Sequence, residues 1–163
     1  MFIVAQGEAV AAAKELRLQG YKGAFYSYSP AVANTFLELG GQAVEGLKAI
    51  SLTVPLTAQS TALQEYRDAL AKYAPSEVPD YTSLMGFGLT KIVVEAVRRI
   101  QGPINRATLV NSLMGLRNYD SGIIAPVTYS PQRHMGASAI QRVVAQGGKW
   151  VAVGSPVGSE TDW

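Results

Sequence analysis

Residues 1–54 read MFIVAQGEAVAAAKELRLQGYKGAFYSYSPAVANTFLELGGQAVEGLKAISLTV, a stretch that alternates between two periodicities. Residues 1–5 are a short apolar run that predicts a buried strand. Residues 7–19 set Val10, Ala13 and Leu16 on one helical face, and Gly20 supplies the stop. Residues 23–28 are rich in aromatics and predict a second strand. Pro30, favoured in a first helical turn, opens a short helical segment that runs through Phe36 and Leu39 to Gly40-Gly41. Residues 46–54 predict a third strand. Strand, helix, strand, helix, strand is the order of a parallel sheet covered by helices, so the fold class is α/β.

The texture changes at Pro55, after which three helices are expected. Residues 59–73 carry Leu63, Tyr66, Leu70 and Tyr73 on one stripe. Residues 81–100 carry Leu89, Ile92, Val93, Ala96, Val97 and Ile100 at helical spacing, ended by Gly102-Pro103. Asn105 is a candidate N-cap for residues 106–116, which would bury Leu109, Val110, Leu113 and Leu116. The chain then returns to strand character. Residues 123–129 are interrupted by Pro126 and read as an edge or irregular strand. Residues 139–145 and 149–153 flank Gly147-Gly148, a two-residue hairpin signal. The Gly-, Ser- and Pro-rich tail from Gly154 is expected to be loose. The middle helices have no strands of their own to cover, and three N-terminal strands make a very small sheet. Both features suggest that a partner half is missing.

Of the 163 residues, 48% are hydrophobic and 16% charged, the composition of a globular chain long enough for one ordinary core. A net charge of +2, evenly spread, argues against a nucleic-acid surface. Arg98 and Arg99 form the densest basic cluster, at a helix C-terminus where cations are favoured. There is no cysteine, which excludes disulfides and thiolate metal sites but fixes no compartment. Residues 1–5 are not followed by the features of a signal peptide, so an exported parent would carry its signal ahead of Met1.

Motifs for chemistry are sparse. GxGxxG, GxxxxGK[ST] and GxSxG are absent. Gly86-Phe87-Gly88 lies within a helical stripe and reads as packing. His134, the single histidine, cannot build a histidine zinc site, and no nucleophile or orienting acid accompanies it. No cofactor is implied. Glu45, at a glycine-rich strand entry, reads as structural before it reads as a ligand contact. The aromatics are more suggestive, because small-molecule sites are commonly walled by rings. Tyr28, at the end of the second strand, and Tyr81, at the start of the long helix, are the candidates from this group.

Four segments together resemble the second half of the leucine/isoleucine/valine-binding family of type I periplasmic receptors. They are GEAVAAAKELRLQGYKG at 7–23, LGGQAVEGL at 39–47, SLMGFGLTKIVVEAV at 83–97 and YDSGIIAPVTYSPQRHMGASAIQRVVAQGGKW at 119–150. The resemblance implies part of a two-lobed Venus-flytrap fold built of three-layer α/β/α pieces. Residues 1–54 would belong to the second lobe, 55–117 would be helical and belong to the first, and 118–163 would return to the second. The opening strands of both lobes would be absent.

It further implies an extracytoplasmic component of an ABC importer, periplasmic or at the cell surface and not an enzyme. A small molecule would bind between the lobes, and the closed form would meet a membrane permease. The family aromatic at the end of the first strand falls near Ala5 or Gln6, and the one before the long helix near Tyr81 or Thr82. Where amino-acid-binding members carry an acid for the ammonium group, this sequence has Ser29-Pro30-Ala31. Gln6, Tyr28, Ser29 and Tyr81 are therefore the expected ligand contacts, with an amino acid or a carboxylate or aromatic acid as ligand. The competing readings are a ligand-sensing regulator on the same fold, a small α/β enzyme, and a chain that pairs its sheet edges with its missing N-terminal half or another chain.

Overall fold

The computed structural model describes residues 6–158. The strand expected over residues 1–5 lies outside them. Helix α1 (Gln6–Leu18) ends at Gly20, whose φ of +85° reverses the chain at low cost. Strand β1 (Tyr26–Ser27) follows and is shorter than the expected 23–28, although Lys48 N–H reaches back to the Phe25 carbonyl at 3.0 Å. The helical segment from Pro30 is broken into pieces. A 3-10 turn (Ser29–Val32) gives way to extended Ala33, then α2 (Asn34–Gly40), then a second 3-10 turn (Gly41–Val44).

Strand β2 (Lys48–Ser51) pairs in parallel with β1, Tyr26 opposite Lys48. Helices α3 (Thr61–Tyr73), α4 (Tyr81–Arg98) and α5 (Arg106–Met114) come next. Each has a side-chain cap at its N-terminus: Ser60 accepts from Leu63 N, Asp80 from Thr82 N, and Asn105 from Ala107 N and Thr108 N. Strands β3 (Ala139–Gln146) and β4 (Lys149–Ala152) form the hairpin, and φ is positive at both Gly147 and Gly148, as a I′-type turn requires. The sheet runs β1-β2-β3-β4, parallel only at its first pair.

Three expectations are corrected. The tail is not loose throughout, because β5 (Val157–Gly158) pairs antiparallel with Ala139 and Ile140. Those two residues precede the β3 positions paired to β2 and β4, so their backbone groups need another partner. Val110 is exposed rather than buried, while Leu109 and Leu113 are half-buried and Leu116 fully buried. Residues 123–129 form single bridges rather than a strand: Ile124 with Thr53, and Val127 with both Tyr119 and Ala137.

The buried apolar residues separate into two cores. The first holds residues of α1 and α2 with Phe25, Leu47, Ala49, Val143, Ala145, Trp150 and, from α4, Tyr81. The second holds Leu63 and Tyr66 of α3, Leu84, Ile92 and Ala96 of α4, and Leu116, Ile123, Ile124 and Val127. Both cores have apolar surface left uncovered by described residues. The sheet face opposite α1 and α2 shows Tyr26, Ile50 and Val153, and the outer side of α4 shows Leu89 and Val93, each more than a third exposed.

Gly88 sits where α4 meets the Ile123-Ile124 turn. A Cβ there would stand 2.8 Å from the Ile123 side chain, whereas one on exposed Gly86 would meet nothing. Gly88→Val is expected to lower stability by about 1–3 kcal/mol through overpacking. Gly86→Ala should raise it by roughly 0.5–1 kcal/mol through helix propensity. Urea unfolding of the two variants checks the pair, and equal effects would show that Gly88 is not a packing glycine.

Candidate functional site

The sequence turns from β2 into the helical section through Ser51-Leu52-Thr53-Val54-Pro55-Leu56-Thr57. Ser51 and Thr53 are buried and satisfy each other: Thr53 N–H donates to Ser51 Oγ at 3.2 Å, and Ser51 Oγ donates to the Thr53 carbonyl at 2.8 Å. This polar knot holds the chain where it leaves the sheet. Val54 N–H then pairs with the Ile123 carbonyl at 2.8 Å, fixing the segment to the second core.

A cleft of about 500 Å³ opens beside this segment, at the carboxyl end of β2. One wall comes from the first core, through Val32, Asn34, Glu38, Lys149 and Trp150. The other comes from Val54, Pro55, Leu56 and Leu84, and Tyr81 stands between them. Apolar walls with a few polar groups, at a strand end in an open α/β sheet, are the usual setting for a small-molecule ligand.

Tyr81 is the most unusual residue here. Its ring is buried in the first core although its helix packs in the second. Among the described residues neither its hydroxyl nor Trp150 Nε1, which is also buried, meets a partner in good hydrogen-bond geometry, although Ser29 and the Leu52 backbone lie close to the hydroxyl. Burial pushes the Tyr81 phenol above its ordinary pKa, and the nearby Ser29 side chain and Leu52 backbone offset only part of that. An unpartnered buried hydroxyl costs free energy, so this position is held by its surroundings rather than by its own bonding.

The structure brings two of the four expected contacts close together. Tyr81 lines the cleft and Ser29 lies beside its hydroxyl. Tyr28 stands one residue before, half-buried, its carbonyl accepting from Ala31 N at 3.0 Å. Gln6, the first residue of α1, accepts at Oε1 from the Thr35 hydroxyl at 3.2 Å, on the α2 side. Neither Gln6, Tyr28 nor Ser29 is among the described residues that line the cleft. Trp150, Asn34 and Thr53 were missed. Trp150 and Thr53 carried only a positional signal in the sequence, at a hairpin and a strand end, and Asn34 lay within the helical stretch expected from Pro30. His134 is exposed, and no group of three or more metal-ligating side chains occurs among the described residues. Glu45 has a structural partner, since Gly147 N–H donates to its Oε1 at 3.0 Å and holds the hairpin turn.

The raised phenol pKa has a checkable sign. A neutral Tyr81 is favoured by the fold, so its contribution is present below the ordinary value of 10.0 and is lost as pH rises through the higher folded value. Melting temperatures between pH 8 and pH 11 should therefore fall less steeply in Tyr81→Phe than in the wild type. The same variant should be no less stable at pH 8, because it discards an unpaired hydroxyl. A clear loss at pH 8 would mean that the hydroxyl has a partner.

Comparison with known proteins follows the same lines. The chain resembles a branched-chain amino acid ABC transporter protein from Thermus thermophilus with bound valine. The TM-score is 0.82 at 20% identity, over 93% of this chain and 44% of that one. A possible leucine/isoleucine/valine-binding protein from Rhodopirellula baltica also superposes with a TM-score of 0.82, at 25% identity over 90% and 40%. A fatty acid ABC transporter substrate-binding protein from Thermomonospora curvata gives 0.76 at 23% identity, over 94% and 41%. This chain therefore spans less than half the length of each. No curated protein sequence matches it. The model of the family described as "Periplasmic binding protein" matches residues 1–149. With a partial type I α/β receptor fold and a family match along nearly its whole length, the chain belongs to the periplasmic binding protein family.

Proposed function

We propose that this chain forms part of an extracytoplasmic, non-enzymatic solute-binding component of an ABC importer, periplasmic or at the cell surface. Residues 1–54 and 118–163 supply one lobe and 55–117 the helical part of the other, against which Ile123, Ile124 and Val127 of the returning segment pack. The ligand is a small amino acid or organic acid, and the partner of the closed form is a membrane permease. The observation that carries this reading is the cleft at the seam of the two cores, with Tyr81 of one helix layer buried in the opposite core. A ligand in that seam touches both bodies at once, and binding is coupled to closure through that double contact.

Tyr81 and Ser29 are the proposed contacts nearest the seam. Tyr28 and Gln6 would contribute from the start of the adjacent 3-10 turn and of α1. With Ser29 at the position where a carboxylate would hold an ammonium group, organic acids stand beside amino acids as ligands. The remaining surface of the site and the cover for the open faces of β1–β4 and α4 come, on this reading, from the part of the two-lobed fold that this chain does not span. Parallel strands are normally buried on both faces, and β1–β2 is such a pair.

A thermal-shift series with valine, leucine, 3-methylbutanoate and a medium-chain fatty acid tests the reading. At a hundredfold excess over Kd a ligand of the native state adds about 2.7 kcal/mol, roughly 5–10 °C for a chain of this size. A shift for one of these, reduced by a Ser29→Asp exchange if the ligand is an acid, supports it. No shift for any of them, with the chain folded, removes solute binding by this chain.

A further inference from the structure

Helix α2 begins without a side-chain cap of its own, because its N-cap position is Ala33. The missing acceptor comes from 46 residues away. Asp80 Oδ2 accepts from Asn34 N–H at 2.8 Å, while Asp80 Oδ1 accepts from Thr82 N–H at 2.9 Å. One carboxylate thus caps two helices whose apolar faces lie in different cores. Asn34 returns the contact, its Nδ2 donating to the Pro79 carbonyl at 2.8 Å. Asp80 is itself anchored to the second core. Its N–H donates to Tyr66 Oη at 3.2 Å, and the Tyr66 hydroxyl pairs with Ser83 Oγ at 2.6 Å. Tyr66 is 2% exposed, so this end of the chain of bonds does not move independently of α3. Asn34 is followed by Phe36 and Leu37, both buried in the first core, so the other end is equally fixed. By contrast, the Thr57 hydroxyl reaches across to the Trp150 carbonyl only at 3.5 Å.

We infer that Asp80 and Asn34 form a latch that sets the angle between the two cores, Asp80 acting as a positioning residue rather than as a ligand contact. Charge-assisted hydrogen bonds to backbone N–H groups are short and directional, and here one is spent on each body. The latch lies directly before Tyr81 in the chain, and Asn34 lines the same cleft as Tyr81. Releasing it leaves the bodies joined by their connecting segments, by Tyr81 and Met85 of α4 against the first core, and by the long Thr57–Trp150 contact. The inference stands apart from solute binding. Where that binding holds, the latch also limits how far the cleft opens.

Two substitutions break the latch while sparing the helices. Asp80→Asn keeps an oxygen for Thr82 N–H, and Asn is among the best N-cap residues, but it turns an amide toward the Asn34 donor. Asn34→Pro deletes the N–H at the first position of α2, where proline is well tolerated. The preceding Ala33, at φ −72° and ψ 150°, already has the backbone that a following proline demands. The chain has no cysteine, so exposed Lys14 in α1 and Ala71 in α3 can be replaced by cysteine and spin-labelled without side products.

The labelled full chain is expected to give one narrow inter-label distance distribution by double electron–electron resonance. Asp80→Asn and Asn34→Pro should each broaden it at least ~2-fold, as freed hinge motion would. The double variant should broaden it no further than Asn34→Pro alone, which already removes both the Asp80 and the Pro79 contacts. Circular dichroism melts of the single variants should stay close to the wild type. Wild-type distributions in both variants would overturn the latch and leave the angle to Tyr81 packing. Loss of the folded state in both would overturn it too, because the pair would then be a folding element rather than an orienting one.

Discussion

The ring of Tyr81 is carried by a helix whose other fully buried residues pack in the second core, yet its own burial is in the first. That crossing fixes much else. The first turn of α4 has to start at the seam, so its cap must be there, and Asp80 is the residue that supplies it. The chain reaching α4 from β2 has to run along the same seam, which it does through the Ser51–Thr53 knot and the Val54 bond to Ile123. The cleft is what remains between these constraints. Its walls belong to different cores because the helix and the strand end approach it from opposite sides.

Elements with strong local signals were legible. The α4 period, the Asn105 cap, the Gly147-Gly148 hairpin and the β–α–β order of the N-terminal part rest on interactions within a few residues, and the structure has them all. Elements set by distant partners were not. Asn34 looked like an ordinary residue inside a helical stretch. It marks a helix start because Asp80 caps it from across the seam. Val157 pairs because the first residues of β3 outrun both neighbours. The exposure of Val110 has the same origin, since the short α5 turns only Leu109 and Leu113 toward the second core.

The candidate site was half legible for a related reason. Tyr81 stood out as an aromatic at the beginning of an apolar helix, and ring-walled pockets made it a candidate. Trp150 is an equally large ring in the same cleft, but it sits mid-hairpin, where tryptophan is ordinary core. Only the pairing that sets Ala145 opposite Trp150, and the packing of Phe36 against it at 6.2 Å between ring centres, bring it to the seam. Sequence distance, from residue 36 to residue 150, hides that meeting.

The same distances bear on how such a chain responds to a solute. The two cores share Tyr81 and Met85 of α4, the Asp80–Asn34 pair, the Thr57–Trp150 contact and the connecting backbone. Once the Asp80–Asn34 pair is released, neighbouring angles between two bodies joined in this way differ less in energy, because fewer bonds hold one of them. A ligand can shift such an equilibrium only by its differential affinity for one angle. A solute that fills a seam walled by both bodies has that differential, whereas one bound on a single body has none. A seam walled by two bodies is thus a better place to couple binding to their angle than a deep pocket within either core.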